Sequence, residues 1–339
     1  MQRRGITVLV GALIVMVLSF GVMLAPVPYV VLQPGPTWNT LGEGAEGGQV
    51  IEIDGADTAD SAGELHLTTV SVQPEVSLLT ALGAWLDGEE AVVPEELVYP
   101  PDQTREQVEQ RNAEQFSRSQ TSAEAAALSH LGYPTQVAVM GVVEGAPADG
   151  VLEAGDVITE VDGVAISEAS QLQEQVAAGE AGSTLRVEYL RDGEPGSAEL
   201  TTEGADDGTP RIGVEITHEF DVPFELSIQL DRIGGPSAGL MFALGIIDKL
   251  QDEDLTGGET IAGTGSIDEL GQVGAIGGIP QKLVAARELG ASAFLVPSAN
   301  CAEALANPQP GLTLVRVDTL DDALTALADL RADREPVAC

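Results

Sequence analysis

Ser237 lies in Gly234-Gly235-Pro236-Ser237-Ala238-Gly239, between an alternating stretch, Phe224 to Arg232, and the apolar run LMFALGIIDKL. A G-x-S-x-G spacing at such a point presents a serine hydroxyl on a sharp strand-to-helix turn, where it becomes a nucleophile once a base takes its proton. Histidine does not fit that task in the α/β-hydrolase order, because His66, His130 and His218 all precede the serine, whereas in that fold the histidine follows it. A His-Asp-Ser order stays formally open, with no catalytic-looking loop around His66 or His130. His218-Glu219 opens like a zinc-protease motif, but Val222 stands where the second histidine belongs, and no metal site is expected. A lysine replaces histidine when burial lowers its pKa enough for the amine to start neutral. The chain has two lysines. Lys249 is twelve residues past Ser237 on the same predicted helix, about 18 Å along its axis and out of reach. Lys282 remains. It follows a nearly uncharged, glycine-rich run from Gly271 to Pro280 and opens a predicted helix, KLVAARELG.

The segments that must bring these two residues together carry a resemblance. PSAG at Pro236 to Gly239 and TGSIDELGQVGAIGGIPQK from Thr264 to Lys282 resemble the proteolytic domain of the Lon family, whose corresponding segment reads T-G-E-I-T-x-x-G-x-V-x-x-I-G-G-x-x-x-K. The spacing from Thr264 to Lys282 matches without a gap. The resemblance implies that Ser237 is the nucleophile, Lys282 the general base and Thr264 a hydroxyl that orients the lysine. Gly234 and Ser266 stand where Lon sequences often carry Asp and Glu. The oxyanion of an acyl-transfer intermediate is then expected against the N–H groups of Ser237 and Ala238, since Pro236 has none to offer.

Residues Thr135 to Thr202 read as a β-rich module: a strand VAVMGVV, a turn at Gly145-Ala146-Pro147, a strand DVITEVDG, a helix SQLQEQVAA and a hairpin. Pro147-Ala148, Val151-Leu152, Gly155-Asp156-Val157-Ile158 and Val161-Asp162-Gly163 resemble the PDZ family. That family binds an extended peptide between a sheet edge and one helix. The resemblance implies a groove lined by Val137, Val139, Leu172 and Val176. The family's glycine-rich carboxylate loop is represented only by Leu131-Gly132-Tyr133.

Fifteen Lys and Arg against 54 Asp and Glu leave a net charge of −39, which excludes a nucleic-acid partner. Gly42, Gly44 and Gly47 satisfy G-x-G-x-x-G, but Glu43 and Glu46 would face a pyrophosphate and no strand leads in. Each lysine is followed by leucine, so no phosphate-binding G-x-x-x-x-G-K-[ST] exists; neither ATP nor any cofactor is expected. Ile6 to Ala25 contains no charged residue and reads as a membrane span, with Arg3 and Arg4 on the cytoplasmic side by the positive-inside rule. That places the acidic body outside the cell membrane on a single-pass anchor. The order of anchor, PDZ-like module and Lon-type domain resembles the membrane-anchored, ATP-independent Lon-like proteases of Gram-positive bacteria, which implies protein or peptide substrates and a homo-oligomer, a hexamer.

The expected fold class is α+β. Residues 1–30 form the cytoplasmic tip and transmembrane anchor, and 31–132 the tether and first part of the Lon-type domain. Residues 133–203 form the PDZ-like module, and 204–339 the part that carries the Ser-Lys dyad. The strand GELHLTTVSV and the helix SAEAAALSHL, capped by Thr121 and Glu124, resemble the opening of a Lon domain, so the module is expected as an insertion. Cys301 and Cys339 form no metal-ligand spacing and pair only if the chain end is held. The expected function is an ATP-independent serine endopeptidase acting on extracytoplasmic or membrane-associated proteins. The alternative is a non-catalytic, membrane-anchored peptide-binding scaffold.

Overall fold

A computed structural model describes residues 2–44, 47–205, 208–230 and 234–339, with the side chains of residues 2–8 and of His218 outside the description. The chain divides into two compact units, one of residues 1–127 and 224–339 and one of residues 128–223.

The larger unit is built on a six-stranded mixed sheet. Its strands run in the order Thr313–Val317, Ala293–Pro297, Thr260–Gly263, Glu64–Gln73, Tyr29–Asn39, Ala91–Pro94. The first four are mutually parallel, and Tyr29–Asn39 is antiparallel to both of its neighbours. Ala293–Pro297 is buried at every position, as a strand covered on both faces must be. The helix Gly239–Leu250 buries ten consecutive residues, Gly239 to Asp248. Phe242 of this helix meets Phe116 edge to face, ring centres 5.8 Å apart. Lys249, at the far end of the helix, donates to Gln49 at 3.1 Å.

Two expectations about the N-terminal half need correction. The N-terminal helix Gln2–Met23 is present, but among the described residues no helix is long and apolar enough to cross a membrane. This overturns the span over Ile6–Ala25, and with it the transmembrane fold element, the membrane partner and the single-pass placement. Residues 6–8 of that stretch have side chains outside the description. Second, Thr121 and Glu124 cap nothing, because one helix runs from Arg105 to His130. Thr121 donates instead to the Ser117 carbonyl one turn back. The compact unit that contains the PDZ-like region runs to Pro223, because the strand Val214–Phe220 pairs along Thr135–Val142.

The smaller unit is a sheet in the order Val214–Phe220, Thr135–Val142, Val157–Val161, Thr184–Arg191, Glu194–Thr201, with the helix Ala169–Ala177. Val137, Val139, Leu172 and Val176 do not line an open groove. All four are buried in one apolar cluster with Ile158, Val161, Val187 and Leu200. Strands flank Thr135–Val142 on both sides, so its backbone has no edge left for a peptide. The edge strands are Val214–Phe220 and Glu194–Thr201.

Cys301 and Cys339 are joined in a disulfide. The end of the chain is held because Arg316 donates its backbone N–H to Val337 at 2.9 Å and Cys339 donates to Leu314 at 3.2 Å, which places the last residues beside the strand Thr313–Val317. The bridge closes a loop with a sequence separation of 38, for which chain entropy gives about 3–4 kcal/mol. Cys339→Ser is expected to lower the unfolding free energy by an amount of that order. Urea unfolding of the variant and of the oxidised wild type measures it, and equal midpoints would show that the bridge does not constrain the unfolded chain.

Candidate active site

The strand Thr260–Gly263 ends the parallel pairing with Glu64–Leu67, and the chain then turns at Thr264 and Gly265 under the start of the helix Gly239–Leu250. There the Gly265 N–H donates to the Ser237 carbonyl at 2.9 Å, and Leu240 donates to the Gly265 carbonyl at 3.1 Å. The serine turn is thus bonded to the end of a central strand. Lys282 comes from the helix Ile279–Leu289, three residues further into the helix than the residue order alone suggested. Its N-cap is Gly278, at φ 75°, a backbone conformation that glycine adopts without penalty. A Cβ at this glycine would also lie 2.6 Å from Val70 Cγ2. Pro280 follows in the first helical turn, where its fixed φ suits a helix start.

These elements converge. Lys282 Nζ lies 2.8 Å from Ser237 Oγ and 2.8 Å from Thr264 Oγ1. The Thr264 hydroxyl donates to the Ser237 carbonyl at 3.0 Å, leaving its lone pairs to accept from the lysine. Lys282 is 2% exposed and Thr264 fully buried. Burial pulls the lysine pKa from 10.5 down to about 7, because an ammonium loses its hydration there. Its place in the first turn of a helix acts in the same direction, since that end of the helix dipole is positive. The amine is therefore largely neutral at slightly alkaline pH and hydrogen-bonded to a hydroxyl.

The pair opens into a cleft of about 1100 Å³, lined on one side by Thr68 to Val72 and on the other by Pro236, Ser237, Ala238 and the loop Ala275 to Gly277. The strand Glu64–Gln73 runs on past Leu67, where its pairing with Gly263 stops. Ala238 is 4% exposed and, with Ser237, borders the cleft. Among the described residues no group of His, Cys, Asp and Glu is placed to hold a metal.

Ser237, Lys282 and Thr264, named from the sequence, are brought together; the groove residues Val137, Val139, Leu172 and Val176 belong to the other unit. Two contributors went unread. Asn300 holds the loop beside the lysine helix, accepting from the Ile276 N–H at 2.9 Å and donating to the Ile276 carbonyl at 2.9 Å. Ser119 donates to the Pro236 carbonyl at 3.1 Å. Neither carries a local signal, since each acts across more than twenty residues of chain.

Comparison with known proteins bears on both units. Residues 232–329 match the Lon protease (S16) C-terminal proteolytic domain, and residues 107–202 match the PDZ domain. The latter range stops short of the strand Val214–Phe220, which pairs within the compact unit of residues 128–223. The archaeal Lon protease of Methanocaldococcus jannaschii is 31% identical over 121 residues, 36% of this chain and 18% of its own. The Lon protease of Clostridioides difficile is 37% identical over 93 residues, 26% of this chain and 12% of its own. The matches thus span less than a fifth of either relative. Among solved structures, the PDZ domain of the SdrC-like protein Lmo2051 from Listeria monocytogenes is 32% identical, covering 24% of this chain and 86% of that one, with a TM-score of 0.23. GtR34C from Geobacillus thermodenitrificans is 35% identical, covering 24% and 94%, with a TM-score of 0.22. The chain carries a serine-protease domain of the Lon type, a hydrolase, together with a PDZ-like module.

Proposed function

We propose that the chain is an endopeptidase that cleaves peptide bonds by acyl transfer through a Ser237–Lys282 dyad. The observation that carries this reading is the 2.8 Å approach of Lys282 Nζ to Ser237 Oγ by an amine whose burial leaves it near neutrality. A neutral Lys282 takes the Ser237 proton as Oγ attacks the scissile carbonyl. The negative charge that develops on the carbonyl oxygen meets the N–H groups of Ser237 and Ala238. The ammonium then returns its proton to the leaving amine, an ester to Ser237 remains, and water activated by the same lysine hydrolyses it. Thr264 keeps the lysine between cycles at one distance from the serine. A substrate strand lying along Thr68 to Val72 reaches the serine in extended form.

The chain holds no phosphate-binding lysine motif, and we take the cleavage to need no ATP. We further propose that the PDZ-like unit is inserted within the protease unit and binds substrate peptides. Support for the insertion is that residues 1–127 and 224–339 cluster together. Support for the second role is the position of Val214–Phe220 at one end of its sheet. A fluorophosphonate probe tests the central claim. It is expected to label Ser237, identified by peptide mass, and to leave Ser237→Ala and Lys282→Ala unlabelled. Absence of label on the folded wild type would favour the non-catalytic peptide-binding reading.

A further inference from the structure

The helix Arg105–His130 meets the serine turn at two points within the larger unit. The Gly235 N–H donates to the Asn112 carbonyl at 2.9 Å, and the Ser119 hydroxyl donates to the Pro236 carbonyl at 3.1 Å. A helical serine ordinarily turns its hydroxyl back to a carbonyl of its own helix, as Thr121 does two residues later. Ser119 reaches across instead, and it is 5% exposed. The approach is close. A Cβ at Gly239 would lie 2.8 Å from Ser119 Oγ and 2.9 Å from Ile267 Cγ2, so only glycine at this position lets the helix in.

Peptide planarity gives this contact a chemical consequence. The Pro236–Ser237 bond is trans, as are all the described peptide bonds, so its N–H points opposite its carbonyl. Anchoring the Pro236 carbonyl on the helix turns the Ser237 N–H away from that helix, and Ser237 and Ala238 both line the cleft. The next peptide is pinned in the same way. Thr264 and Gly265 hold the Ser237 carbonyl at 3.0 and 2.9 Å, which fixes the Ala238 N–H opposite. An oxyanion donor is effective when it is oriented before the charge develops.

We propose that Ser119 is a positioning residue for the acyl-transfer reaction: its hydrogen bond to Pro236 sets the peptide plane that aims the Ser237 N–H at the oxyanion. The proposal rests on Ser237 as the nucleophile, and its test separates the two. Full-length wild type, Ser119→Ala, Ser119→Thr and Ser237→Ala are compared in peptide hydrolysis, in binding of a peptidyl boronate and in thermal unfolding. The tetrahedral boronate adduct places an oxygen where the oxyanion forms. Ser119→Ala is expected to lower kcat about tenfold and weaken the boronate about tenfold, as loss of an aimed donor does, with KM within about twofold. The melting temperature and the pH midpoint of kcat stay at the wild-type values. Ser119→Thr, which keeps the hydroxyl, recovers most of both losses. If the wild type does not bind the boronate, the dyad reading falls and this proposal with it. If the wild type binds and Ser119→Ala binds equally well, or if Ser119→Thr recovers nothing, the positioning role alone is overturned.

Discussion

Lys282→Arg is expected to lose roughly 10³-fold or more in kcat/KM, the scale of removing a general base from an acyl-transfer site. Arginine keeps the positive charge and nearly the length, yet its guanidinium does not deprotonate in a protein and cannot accept the Ser237 proton. The wild type supplies the matching pH signature. With the Lys282 pKa at about 7, the neutral amine is a small fraction at low pH. Below that point kcat/KM falls about tenfold per pH unit, and above pH 8 it levels off. Hydrolysis of a fluorogenic peptide between pH 5 and 9 measures both effects. A Lys282→Arg enzyme with a tenth of wild-type activity, or a wild-type profile flat from pH 5 to 7, would exclude lysine as the base.

Lys282→Met is expected to stabilise the protein while abolishing activity. The folded-state pKa of Lys282, about 7, lies below the ordinary lysine value of 10.5. Between those values the unfolded chain binds a proton that the folded one does not, so the wild type gains stability as pH rises through this window. Below about pH 7 the cost of the buried lysine is present in full. Relative to a residue that does not titrate, the linkage at pH 8 amounts to about 3 kcal/mol, and at pH 9.5 to about 1.4 kcal/mol. Methionine fills a similar volume with no charge to bury. The expected rise in melting temperature is roughly 5–10 °C at pH 8, for a cooperative unit of this size, and less than half of that at pH 9.5. Calorimetry at the two pH values decides it. A Lys282→Met protein that melts no higher than wild type at pH 8 would mean that the lysine is neutralised by something other than burial.

The chemistry of the site was legible because it lies in short, rigid spacings. A serine between glycines and a scarcity of lysines left one pair, and the stretch from Thr264 to Lys282 is built of local pieces: a strand end, a short hairpin of Ser266–Ile267 with Val273–Gly274, and a helix start. The PDZ-like hairpin from Thr184 to Thr201 was equally local, its pairs nested around one tight turn from Arg191–Glu194 out to Thr184–Thr201. Where several strands compete for one neighbour, local pattern was not enough. Val137 and Val139 alternate as an edge strand would, but Val214–Phe220 arrives from more than seventy residues later and takes that edge, which turns a proposed groove into core.

The N-terminal stretch shows the same division between composition and structure. Its lack of charge is a property of the residues, and that gave the expectation of a span; the described helix is not long and apolar enough to cross a membrane. The cysteine pair depended on the last residues lying beside Thr313–Val317, a contact that no spacing in the sequence encodes. By itself the sequence determined which groups are available, since two hydroxyls and an amine, Ser237, Thr264 and Lys282 in that order, admit few reactions. Only the tertiary structure decided how those groups behave. Burial sets the lysine pKa, and burial is the sum of contacts from many segments. The aim of the Ser237 N–H depends on a carbonyl held by Ser119, from a helix that ends more than a hundred residues earlier in the chain.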